Sequence, residues 1–231
     1  MSAEFFSPNY ETARGRFREL VASKGGRSEH HEIGQNGPDG SPLTIDIGIF
    51  GAPEAKTWVV LSSGTHGVEG FFGSAVQLAC MNKLLSHFEE NTNLGLILIH
   101  ALNPYGFAYI RRVNEHNVDL NRNFLPPTRP YEGADPAYGI FDALLNPQNP
   151  PGGIEFFLLR TIYHIARQGM PKLKNSLVSG QYDYEKGLFF GGKGPSASHT
   201  ILEENFPRWL EGAEEVIHLD FHTGLGAWGT Y

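Results

Sequence analysis

Apolar and polar positions change period several times along the chain. From residue 9 to 23, Tyr10, Ala13, Phe17, Leu20 and Val21 recur at helical spacing, and the breaker SKGGR follows. A polar, Gly-rich stretch then runs to Gly40, and LTIDIGIF after it alternates, which predicts a strand with one wet face. WVVLSS is short, continuous and rich in β-branched residues, the pattern of a buried strand. Phe71 to Phe88 predicts a helix packed on the sheet, and LGLILIH (94–100) and EVIHLDFH (215–222) predict two more buried strands. Between Leu125 and Gly153 the prolines predict a long irregular excursion rather than a domain linker. IEFFLLRTIYHIARQG then reads as an amphipathic helix, and SHTILEENFPRWLEG as a second, interrupted by Pro207. Strands alternating with helices predict an α/β domain with a largely parallel sheet. Such sheets bind ligands at the carboxyl ends of their strands. Three polar, glycine-bearing stretches lie there: THGVEG, NPYGF and HTGLG.

Composition narrows the class. A chain of 231 residues, 40% hydrophobic, suits one large domain, residues 1–231, with a sizeable core. Its net charge of −7 argues against nucleic acid or an anionic membrane as the main partner. The single cysteine, Cys80, cannot form an internal disulfide and reads as a small buried hydrophobe. No signal-peptide pattern is visible, and no apolar run reaches the roughly 18 residues of a membrane span, so the expectation is a cytoplasmic protein.

His66 and Glu69 stand three apart in SSGTHGVEGFFG. On a turn the two face the same way, and the glycines at 64, 67 and 70 permit a sharp turn and leave a coordination position open. Alone, H-x-x-E is a weak signal. Catalytic zinc takes three protein ligands and one open position, and two histidines with one carboxylate are a common set. On the last strand His218, Asp220 and His222 share a face. His222, nearest the carboxyl end, is the candidate third ligand. Asp220 is placed to orient a ligand, and His218 reads as a sheet histidine satisfied by its neighbours. In RRVNEHNVDLNRNF, Arg122 carries a fork suited to a carboxylate and Asn121 adds donors. The serines at 62 and 63 lack a G-x-S-x-G elbow, and GGKGPS at 191–196 lacks phosphate-loop spacing and reads as a substrate-side loop. The aromatic loop 131–141 fits either a pocket wall or internal packing.

T-H-G-V-E-G, N-P-Y-G-F, R-x-N-x-x-N-V-D-L-N-R-N-F and D-F-H-T-G, in that order, resemble the motif set of the zinc carboxypeptidases. GLFFGGKGPSASHT (187–200) resembles a bacterial, carboxypeptidase-like or aspartoacylase-like branch of that superfamily. The resemblance spans roughly residues 40 to 231. It implies a three-layer α/β/α fold with a mostly parallel mixed sheet and a single zinc ion on His66, Glu69 and His222. It also makes Asp119 the partner of the first ligand histidine, and Asn121 and Arg122 the grip on a substrate's terminal carboxylate. Arg112 matches the arginine that polarises the scissile carbonyl, with Arg111 beside it as the alternative. The implied activity is zinc-dependent hydrolysis of an amide bond next to a free carboxylate, in a small peptide or an N-acyl amino acid. The departure from the pattern is the general base. No glutamate follows His222, and Glu115, Glu132 and Glu185 lie outside the family's context for it. The expectation is therefore the N-terminal part of a longer domain, with an exposed sheet edge that favours a homo-oligomer. A zinc- or ligand-binding module without turnover is the alternative.

Overall fold

The computed structural model describes residues 3–89, 91–146 and 156–224. The PQNPPGG end of the proline-rich excursion, the first two residues of IEFF and the chain after Gly224 lie outside the described residues. In chain order the elements are α1 (Tyr10–Ser23), β1 (Arg27–Asn36), β2 (Pro42–Phe50), β3 (Thr57–Ser63), α2 (Gly70–Lys83), α3 (Leu85–Glu89), β4 (Leu94–His100), α4 (Pro104–Ala108), α5 (Tyr138–Leu145), α6 (Phe157–Gln168), α7 (Met170–Val178), α8 (Ala197–Trp209) and β5 (Glu215–Phe221). They form two compact units, one from residues up to Glu115 together with those from Ala197 onward, the other His116–Ser196. Among the described residues no helix is long and apolar enough to cross a membrane.

The first unit is a mixed five-stranded sheet in the order β1-β2-β4-β3-β5. β1 and β2, and β2 and β4, pair antiparallel, while β4 and β3, and β3 and β5, pair parallel. Helices lie on both faces. A side chain on Gly48 would strike Val21 and Phe17, so that face of β2 lies under α1. Phe17 and Val21 join Leu61, Leu78, Met81, Leu96 and Leu98 in one core between α1, α2 and the strands. On the other face, Glu29 of β1, paired opposite Ile47, takes both guanidinium nitrogens of Arg208 at 2.8 and 2.7 Å and the Trp209 indole at 3.1 Å, which docks α8. Cys80 is buried, and burial pushes its thiol up.

Four local expectations change. EVIHLDF forms a strand, but an edge strand exposed from Glu215 to Asp220 rather than a buried one. The polar positions of LTIDIGIF do not face water, since β2 is buried from Leu43 to Phe50. Asp46 is fully buried and accepts from Arg18 Nη2 at 2.7 Å, Arg18 Nε at 3.0 Å and Thr44 Oγ1 at 3.2 Å, with His30 Nδ1 at 2.8 Å. The alternation therefore marks a paired polar network under α1. β1 arises from the polar, Gly-rich stretch, for which the sequence predicted no strand. As an edge strand it is polar on its exposed positions and relies on β2 for its hydrogen bonds, so it has no apolar signature. α8 runs through Pro207, which sits in its last turns, where only the helix end is affected.

His100, at the end of β4, is fully buried and stacked on Phe17 at 4.7 Å, with Nε2 3.0 Å from Ser74 Oγ. Burial pushes its pKa down to about 4, so it is a neutral core histidine.

The second unit is organised around the Asn121–Asn123 turn. Asp119 is buried and caps the short 3-10 turn Leu120–Arg122, accepting from Asn121 N at 3.1 Å. The Asn123 amide donates to Gly191 O at 2.8 Å and Gly194 O at 2.9 Å and accepts from Ser196 N at 2.8 Å. The GLFFGGKGPS segment is thus clamped to the NVDLNRNF turn. Tyr131 and Tyr182 hydroxyls donate to Asn123 O at 2.6 Å and Arg122 O at 2.9 Å, so these aromatics pack the turn. Tyr138 donates to Leu188 O at 2.8 Å, and burial raises its hydroxyl to about 12.

The Arg208 hydrogen bond outweighs desolvation and holds the Glu29 carboxyl down to about 2. A carboxyl depressed in the folded state adds stability that is complete above its ordinary value of 4.5 and is lost as the pH falls through about 2. Arg208→Ala is expected to bring the Glu29 titration, followed by side-chain NMR, back up toward 4.5. The stability gap between the two proteins should then close over the same acid range.

Candidate metal centre

The site lies where β3 and β5 end side by side. After Ser63 the chain passes through Gly64 at φ +71°, a left-handed conformation that glycine adopts without strain. Leu102 N and Asn103 N donate to Ser63 O and Gly64 O, both at 2.9 Å, so the turn after β4 braces the turn after β3. His66 is extended, Gly67–Glu69 form one 3-10 turn, and α2 begins at Gly70. That single turn places His66 and Glu69 on one side.

Three ligand atoms converge, one each from His66, Glu69 and His222, all within 4.8 Å of one another. His66 Nδ1 is 3.1 Å from Glu69 Oε1, and His222 Nδ1 is 3.1 Å from Glu69 Oε2. The two imidazole rings meet edge to face with centroids 4.9 Å apart. Thr223 N also donates to Glu69 Oε2, at 3.0 Å. Burial pulls the Glu69 carboxyl upward, but the hydrogen bonds from His66 and Thr223 and the nearby imidazoles prevail and leave it below its ordinary value. Glu69 is therefore an anion.

The donor set fits a zinc ion on the structure's own geometry. His222 Nε2 lies 2.6 Å from Asp220 Oδ2, a close polar contact on the far side of the ring from Glu69. His66 Nδ1 and His222 Nδ1 each face an oxygen of the Glu69 carboxylate, an arrangement that a cation between them would satisfy. The 3.1 Å nitrogen–oxygen separations are close to the edge of about 3.3 Å that a tetrahedron with bonds of about 2 Å would have. Two nitrogens and one carboxylate oxygen are a set that zinc takes.

Gly64 serves the sharp turn that the sequence suggests, but Gly67 and Gly70 have a different reason. A Cβ on Gly67 would lie 2.1 Å from Gly106 C, and one on Gly70 would lie 2.5 Å from the Phe107 ring. Both are bare so that α4 can press against the ligand turn. NPYGF contributes this buttress: Asn103 caps α4 by accepting from Gly106 N at 2.7 Å.

The remaining predicted residues fall in two groups. Arg111 and Arg112 belong to the same unit as the three ligands. Their carbonyls accept from Val68 N at 2.9 Å and Gly67 N at 3.2 Å, which ties them to the ligand turn. The Arg111 guanidinium lies over the Tyr105 ring at 5.9 Å. Asp119, Asn121 and Arg122 form their own cluster in the second unit. Arg122 Nη1 donates to Asn121 O at 2.8 Å and Nη2 to Val178 O at 2.6 Å, which fixes the fork in place. Sequence reasoning missed Ser62, Thr65 and the Thr223 amide. Ser62 had been weighed as a nucleophile, whereas its hydroxyl donates to Asp220 Oδ1 at 2.6 Å.

Gly67→Ala is expected to destabilise the protein by about 2–4 kcal/mol, because the obstruction is backbone and cannot rotate away. Chemical denaturation would measure it. An unchanged midpoint would mean that α4 is not pressed on the ligand turn.

Known structures resemble this chain in fold. The structure of bovine thrombin-activatable fibrinolysis inhibitor in complex with tick carboxypeptidase inhibitor matches with a TM-score of 0.52 at 14% identity, over 94% of this chain and 61% of that one. A metallo-carboxypeptidase from Burkholderia cenocepacia matches with a TM-score of 0.40 at 15% identity, over 71% of this chain and 59% of that one. The chain thus spans about three fifths of either protein's length. No curated protein matches the sequence. The fold is that of the zinc carboxypeptidases. A family model described as "Protein of unknown function (DUF2817)" matches residues 6–231, and the chain belongs to that family.

Proposed function

We propose that the chain is a zinc-dependent hydrolase of the metallo-carboxypeptidase kind, acting on an amide bond next to a free carboxylate in a small peptide or N-acyl amino acid. The observation that carries this reading is the convergence of His66, Glu69 and His222 on one point at the ends of β3 and β5. A zinc ion held there supplies Lewis acidity, which polarises a carbonyl and makes water a nucleophile near neutral pH. The protein's own residues do the rest. Glu69 and the two Nδ1 atoms would hold the ion, with Asp220 orienting His222. Arg112, or Arg111 beside it, is the candidate donor to an oxyanion as it develops on the substrate. Arg122 offers a fork already fixed by two backbone carbonyls, and Asn121 adds donors, which suits recognition of a carboxylate.

Elemental mass spectrometry after dialysis is expected to find about one zinc per chain. His66→Ala and His222→Ala should each remove it, and full retention in both would refute the ligand set. Arg122→Ala is expected to weaken binding of N-acetyl amino acids about tenfold to hundredfold while leaving zinc content unchanged, as calorimetry would show. Equal affinity in that variant would end the assignment of substrate class. Hydrolysis of the same compounds by the zinc-loaded chain separates an enzyme from a binding module without turnover.

A further inference from the structure

α6, the amphipathic helix of the second unit, supplies none of the candidate site residues. The side that carries Ile165 packs, together with Leu145 of α5, on buried Ala137. The spacing of residues 158, 159, 162 and 163 gathers them on another side, and that side is open. Leu158 is 68% exposed, Leu159 61%, and Ile162 and Tyr163 53% each. Phe156 and Phe157 are also exposed and extend the apolar surface at the amino end. One exposed leucine needs no explanation, but an apolar stripe of this size marks an interaction surface.

Charge says what kind. Between Phe156 and Tyr182 the sequence has no acidic residue, whereas Arg160, Arg167 and Lys174 are exposed. Arg160 and Arg167 stand three before and four after Tyr163, so both line one edge of the stripe. Arg167 Nη1 donates to the Tyr163 hydroxyl at 2.7 Å, and its guanidinium lies 5.7 Å from the centre of that ring. The net charge of −7 is therefore an average, to which this segment is a cationic exception. A second α6 laid on the stripe would bring only more cations. A helix of 12 residues is about 18 Å long, short of the roughly 30 Å of a hydrocarbon core, so such a helix lies in an interface and does not cross it.

We propose that α6 is a docking surface for an anionic lipid bilayer. Leu158, Leu159, Ile162 and Tyr163 enter the boundary between headgroups and acyl chains, and Arg160 and Arg167 reach the phosphates beside them. Apolar burial supplies the part of the binding that salt leaves alone, and the arginines supply the preference for negative lipid. An isolated helix of this length is marginal in water, but α6 is held against α5 and α7 before contact. The surface is thus preformed, and binding costs little ordering.

The test sediments the full chain with vesicles of phosphatidylcholine alone, or of phosphatidylcholine with about one third phosphatidylglycerol. The mixed vesicles are expected to bind about tenfold or more tightly than the neutral ones, and raised salt should narrow the difference. Arg160→Gln combined with Arg167→Gln should remove most of that preference, and the corresponding pair of lysine substitutions should keep it. Leu158→Gln combined with Ile162→Gln should weaken binding to the mixed vesicles about tenfold. These side chains are exposed and glutamine is a good helix former, so circular dichroism should show wild-type helix content in every variant. A wild type that ignores both kinds of vesicle overturns the proposal. So does unchanged binding in the folded Leu158/Ile162 pair, which would leave a charge effect without an apolar docking face. Self-association that the same pair abolishes, in a wild type that binds no vesicle, would give the stripe to a second copy of the chain instead.

Discussion

The in-register parallel pairing of β3 with β5 is the constraint on which the site depends. Its partners are far apart in sequence: Ser62 and Asp220 are separated by 158 positions, and Glu69 and His222 by 153. Closing so long a loop costs conformational entropy, although the cost grows only slowly with length. Backbone pairing from Thr57–Glu215 to Ser63–Phe221 offsets it. A slip of one residue would turn Asp220 and His222 to the other side of the sheet, because the side-chain period is two. Register is therefore a condition of the chemistry as well as of the packing.

Around that pairing the fold places rigid supports. α4 presses on the ligand turn at two bare glycines, and the turns after β3 and β4 brace each other through Ser63 and Gly64. Under α1 a separate polar network, centred on the fully buried Asp46, is shared by Arg18, His30 and Thr44 and ties helix to sheet. His100, the register partner of Asp46 at the end of β4, is kept neutral by burial. Two kinds of histidine thus coexist in one sheet. His100 and His218 are satisfied inside the fold, whereas His66 and His222 turn their Nδ1 atoms to a shared carboxylate.

In the second unit the same economy of hydrogen bonds fixes a turn rather than a strand end. Asn123 serves three backbone groups of the Gly191–Ser196 segment, and two tyrosines donate to the carbonyls of Arg122 and Asn123. The guanidinium of Arg122 gains a fixed direction from two further carbonyls.

Much of this was legible in the residues themselves. β3, β4 and α1 announce themselves by apolar period, because their burial leaves a direct record in side-chain type; β5 carries the same apolar content yet is exposed from Glu215 to Asp220. His66 with Glu69, and His222 after its strand, could be named because local spacing alone sets which side a residue faces. The tertiary structure decided what depends on a distant partner. β1 is a strand only because β2 supplies its hydrogen bonds, and the polar residues of β2 are buried only because Arg18 reaches them from α1. Gly67 is bare because Gly106 lies against it, a contact with no trace in the period of either segment. Ser62 orients a carboxylate because the β3–β5 register sets it beside Asp220. Side-chain chemistry and local geometry are properties of short segments and can be read from them. Register, close approach and the pairing of buried polar groups belong to two segments at once, and only the folded chain brings those together.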